Sequence, residues 1–106
     1  MDFSKITNVR YDETERGNLR YINFLYDQTP HYMTIMIVEE RTVEAKIVFH
    51  KPSGRRTITC PICGEPFEKA KDMVCSGFDQ NSLDNLYQHF KQLPTMRLRS
   101  LFIFKG

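Results

Sequence analysis

A chain of 106 residues, 41% hydrophobic and 12% aromatic, has the size and composition of one globular unit with a single core. These values exclude a disordered or fibrous chain, and 15 Lys or Arg against 13 Asp or Glu leave a formal charge of only +2. The charge is uneven: residues 1–50 hold six basic against eight acidic side chains and residues 51–106 hold nine against five, so the second part favours an acidic partner.

Met1–Lys5 contains no apolar stretch suited to a secretory signal, and the longest apolar runs, Ile35-Met36-Ile37-Val38 and Leu101-Phe102-Ile103-Phe104, are far too short for a bilayer. The expectation is a soluble intracellular protein, in cytoplasm or nucleus, without membrane contact. Asp12-Glu13-Thr14-Glu15 reads as a solvated acidic turn. Leu19–Tyr26 (LRYINFLY) is rich in aromatic and branched residues, as strands are, and Asp27-Gln28-Thr29-Pro30 supplies turn chemistry after it. Tyr32–Glu39 and Val43–His50 follow the same grammar, and such short links predict an antiparallel meander.

Lys51-Pro52-Ser53-Gly54 turns the chain, and Arg55–Thr59 is expected to return as a short strand that delivers Cys60 at its end. Glu65–Val74 is compatible with either a helix or a hairpin. From Ser82 to about Leu93 the spacing of Leu83, Leu86, Tyr87 and Phe90 predicts an amphipathic helix, capped by Ser82 and stopped by Pro94. Met96–Lys105 alternates with one step out of phase, which predicts a final strand with a bulge. The fold expectation is therefore α+β: a small antiparallel meander, one C-terminal amphipathic helix and a final strand. One domain spans 1–106, with a strand-rich part at 1–50, a zinc-binding part at 51–93 and a terminal strand at 94–106.

Three cysteines carry the chemistry. Cys60-Pro61-Ile62-Cys63-Gly64 has the C-x-x-C spacing that lets two thiolates reach one ion from a tight turn, and Gly64 can take the positive φ such a turn needs. Cys75, followed by Ser76-Gly77, offers a third sulfur. An odd cysteine count suits a metal site better than a disulfide framework, so a structural Zn2+ staple is expected. The preferred fourth ligand is His89, on the predicted helix; His50 is the alternative, followed by His31, Asp79 or water.

Cys60-Pro61-Ile62-Cys63-Gly64-Glu65-Pro66-Phe67 resembles the opening of a C2H2 zinc finger, and Leu86-Tyr87-Gln88-His89 resembles the Leu-x-x-His of its helix. The resemblance covers residues 60–89 and implies Cys60, Cys63 and His89 as ligands. It departs from the pattern in the 25 residues between Cys63 and His89 and in lacking a second histidine at 93–95, so Cys75 would complete a CCCH or zinc-ribbon variant. Cys60-Pro61-Ile62-Cys63 also resembles the redox motif of glutaredoxin-like proteins, which would imply thiol-disulfide exchange. That fold, however, carries its motif after the first strand, whereas three strand-like segments precede it here.

No phosphate-binding loop, dinucleotide fingerprint or nucleophile elbow occurs, and the expectation is a binding module and not an enzyme. Lys51, Arg55, Arg56, Lys69, Lys71, Arg97 and Arg99 surround the cysteines and are the candidate phosphate contacts, with Tyr87 or Phe78 available for stacking. The expected partner is nucleic acid or a protein of a nucleic-acid-processing complex. The second reading is a protein-interaction adaptor or inhibitor, with Leu101–Phe104 as an edge able to pair with a partner or a second copy.

Overall fold

The structure is a computed structural model that describes residues 1–16, 18–38 and 42–94. It is α+β. A short 3-10 helix, Phe3–Lys5, leads into β1 (Ile6–Arg16), followed by β2 (Leu19–Tyr26), β3 (Thr29–Val38), β4 (Thr42–His50), β5 (Met73–Val74) and the helix α1 (Gln80–Gln92). The strands form one antiparallel sheet in the order β1-β2-β3-β4-β5, so each neighbour in sequence is a neighbour in space. No helix among the described residues is long and apolar enough to cross a membrane.

The meander follows from period-two alternation. Ile22, Phe24 and Tyr26 on β2, His31, Met33 and Ile35 on β3, and Val48 and His50 on β4 are buried on one face. Asp27 and Gln28 both have positive φ, the geometry a two-residue hairpin turn demands, and Pro30 enters β3 opposite Leu25. The helix lies on the buried face. Phe90 packs on Phe24 at 5.2 Å between centroids, and Lys46 of β4 reaches both the Tyr87 ring and the Asp84 carboxylate, the latter at 2.8 Å. Removing a fully buried ring such as Phe90 from such a core costs about 3–5 kcal/mol.

Three expectations are corrected. The acidic segment Asp12–Glu15 belongs to β1, an edge strand pairing β2 with two register shifts. Arg55–Thr59 is not a return strand: Arg55 and Arg56 lie in a turn, and only Thr59 bridges, to Pro66. The strand that comes back to β4 is β5, within the segment 65–74, which is otherwise irregular and neither helix nor hairpin. Finally, α1 starts two residues before Ser82 and is capped by Asp79, whose carboxylate accepts from the Ser82 N–H at 2.7 Å. The expected final strand at 96–105 lies outside the described residues.

Candidate metal centre

Between β4 and α1 the chain is held by short-range main-chain bonds. The Thr59–Pro66 bridge closes a tight loop in which Cys60 N–H donates to Glu65 O and Gly64 N–H to Cys60 O, both at 2.9 Å, with Gly64 at φ +78°. This knuckle carries Cys60 and Cys63. Its base is anchored by Phe67 N–H donating to Ile58 O at 2.8 Å. The chain then pairs with β4, where Cys75 N–H donates to Val48 O at 2.9 Å, bringing the third thiol beside the end of β4. At the next turn Gly77 touches the knuckle so closely that a Cβ there would stand 2.6 Å from Ile62 Cγ2 and 3.1 Å from Ile62 C and O.

Two histidines complete the cluster from the sheet. His31 and His50 are cross-strand partners on β3 and β4, both fully buried on the inner face. Ligand atoms of His31, His50, Cys60 and Cys75 all lie within 4.8 Å of one another. His31 Nε2 is 3.4 Å from Cys60 Sγ, and Cys60 Sγ is 3.9 Å from Cys75 Sγ. Cys63, half-buried, places Sγ 3.5 Å from His50 Nε2 at the rim. The four buried donors can hold a metal ion.

The chain matches no family model, no curated protein and no solved structure.

His31 Nδ1 lies 3.0 Å from Thr29 O, a bond that makes Nδ1 the N–H donor and leaves the Nε2 lone pair turned towards Cys60. His50 is held by stacking on Phe67, with centroids 4.3 Å apart and planes 4° from parallel, and its buried Nδ1 has no hydrogen-bond partner among the described residues. Burial lowers the pKa of His50, which keeps the ring neutral and able to donate an electron pair. The hydrogen bond from Cys75 holds the Cys60 thiol well below its ordinary range, and the knuckle amides at Ile62 and Cys63 add to it. The same bond, with burial, pushes Cys75 up, so the two sulfurs share one proton, which a cation can displace.

His89 stands elsewhere. It lies on α1 stacked on Phe3, 4.6 Å between centroids, and lines an open cleft with Met1, Ser82, Asn85, Gln88 and Gln92. The Leu86-x-x-His89 half of the finger-like pattern is thus a helix face packed on the N-terminal turn. Asp79 is engaged as the cap of α1. The donors the spacing argument ranked low, His50 and above all His31, are those the sheet register delivers. The available signal was their phase: each occupies an inward position, two residues from Met33 and from Val48.

Of the candidate phosphate contacts, Arg55, Arg56, Lys69 and Lys71 are exposed and Lys51 is half-buried. Ser53 N–H donates to Glu68 O and Gly54 N–H to Lys69 O, each at 3.0 Å, which sets the 51–56 and 68–71 loops side by side. Tyr87 is buried beneath Lys46, and Phe78 is half-buried. Arg97, Arg99 and the Leu101–Phe104 edge lie outside the described residues.

Proposed function

We propose that this chain is a zinc-stabilised binding module whose basic loops contact nucleic acid. The observation that carries the metal reading is the spacing of the donors. A tetrahedral zinc ion, with Zn–S of about 2.3 Å and Zn–N of about 2.0–2.1 Å, separates its ligands by roughly 3.8 Å for S···S and 3.6 Å for S···N. Cys60–Cys75 at 3.9 Å and His31–Cys60 at 3.4 Å fit those edges. Cys60, Cys75, His31 and His50 would hold the ion, and Cys63 stands beside His50, outside that group of four. A shell filled by protein donors leaves no place for a reactive water, which favours a structural ion over metal-assisted hydrolysis.

The ion would tie β3 and β4 to the irregular 51–79 segment, a stretch with only β5 as regular structure. The nucleic-acid reading is supported by the exposed Arg55, Arg56, Lys69 and Lys71 on two loops joined through Ser53 and Gly54. Titration of labelled oligonucleotides at several salt concentrations tests it. Affinity should fall as salt rises, and the slope of log K against log salt should shrink by about 0.7 for each cation removed by Arg55→Ala or Arg56→Ala on a single strand. Absence of binding, or binding insensitive to salt, refutes this role and leaves the protein-adaptor reading.

A further inference from the structure

The helix and the metal loop cover one face of the sheet, while the other face carries aromatic rings on three adjacent strands. Tyr32 of β3 and Phe49 of β4 are direct cross-strand partners, stacked with centroids 5.2 Å apart and planes 12° from parallel. Tyr21 of β2, facing Thr34, lies diagonal to Tyr32 and meets it edge-on at 6.0 Å. All three rings are only partly covered. Tyr32 is further fixed by its hydroxyl, which donates to the Asp72 carboxylate.

Tyr21 and Tyr32 line a cavity of about 320 Å³ together with Asp12, Asn23, Lys51, Pro52 and Asp72. Its size is near the lower end for ligand pockets, enough for one planar heterocycle. The groups around it combine π faces with amide, carboxylate and ammonium hydrogen-bonding atoms, which is what a base offers in reverse. Position is the second argument. Lys51 leads directly into the loop bearing Arg55 and Arg56, and Asp72 follows directly on Lys71, so the cavity lies where the 51–56 loop begins and the 68–71 loop ends.

We infer that this face is a stacking platform for single-stranded nucleic acid, a base lying against Tyr21 and Tyr32 while Lys51 and the adjoining loops take the phosphates. The inference rests on the nucleic-acid reading above and narrows its ligand class. In a duplex the base faces are stacked on each other and unavailable, whereas an unpaired strand presents them to aromatic side chains.

Fluorescence anisotropy on the full zinc-loaded chain distinguishes the outcomes, using an oligothymidine of about twelve nucleotides and a duplex of equal length. The single strand should bind more tightly. Tyr32→Leu should weaken it roughly 5- to 150-fold with the salt slope unchanged, while Tyr32→Phe, which keeps the ring and loses only the bond to Asp72, should bind like the parent. Circular dichroism and metal content of each variant confirm folding, and Tyr21→Leu serves as a second truncation if Tyr32→Leu fails to fold. Equal affinity for duplex and single strand, or unchanged binding by the Leu variants beside weakened binding by Arg55→Ala, overturns the platform and leaves the basic-loop reading standing. No binding to either probe overturns both.

Discussion

At Gly77 the metal loop leaves no room for a side chain, so Gly77→Ala strains it directly. The added methyl would sit 2.6 Å from Ile62 Cγ2 and 3.1 Å from the Ile62 carbonyl carbon and oxygen. Ile62 is β-branched, so its χ1 has few alternatives, and its backbone is part of the knuckle that carries Cys60 and Cys63. The contact can be relieved only by parting the Cys75 turn from that knuckle. Overpacking of this kind costs about 1–3 kcal/mol. For a domain near 100 residues one kcal/mol moves Tm by about 4–8 °C, so a fall of roughly 5–20 °C is expected by circular dichroism. Ile62→Ala in the Gly77→Ala background removes the side-chain clash but not the main-chain one, and should recover part of the loss. A Gly77→Ala protein that melts with the parent would refute the close approach of the two turns.

Acidification should empty the metal centre. The pKa of His50 is lowered from 6.5 by burial, so between that value and its lower folded one the unfolded chain binds a proton the folded chain does not. Stability therefore rises with pH across that window and is lost as pH falls through it, and thiol protonation adds in the same direction. Melting temperature and chelator-detected zinc should both drop between neutral pH and about 5; flat curves would refute the linkage. Asp79→Ala should lower the melting temperature through loss of the α1 cap and leave metal content unchanged. Loss of metal in that variant would return Asp79 to the ligand shell.

The strands of the meander were legible because their inward positions are apolar and their turns carry recognisable chemistry. β1 was not. Ile6–Arg16 mixes charged and apolar residues without clean alternation, and as an edge strand with two register shifts it needs less burial to hold its place. Cys60 was legible from the C-x-x-C spacing and Cys75 from the third thiol and its turn, whereas the spacing also pointed to Cys63, which the structure leaves at the rim of the cluster. His31 was not, since it comes from 29 residues away in sequence and reaches Cys60 only through the register that opposes it to His50. His89 satisfied helical spacing, yet which side of α1 meets the metal loop depends on tertiary placement that spacing does not encode, and the N-terminal Phe3 takes that ring instead. The basic loops were individually visible, while their adjacency depends on two main-chain bonds from Ser53 and Gly54 that no pattern announces.

Metal analysis of three purified proteins bears most directly on the centre: the parent chain, His31→Ala and His89→Ala. The parent and His89→Ala should each carry about one equivalent of zinc, and His31→Ala should carry much less or lose it to a weak chelator. A folded parent without metal, or a His89→Ala protein that loses zinc while His31→Ala keeps it, would contradict the ligand set His31, His50, Cys60 and Cys75.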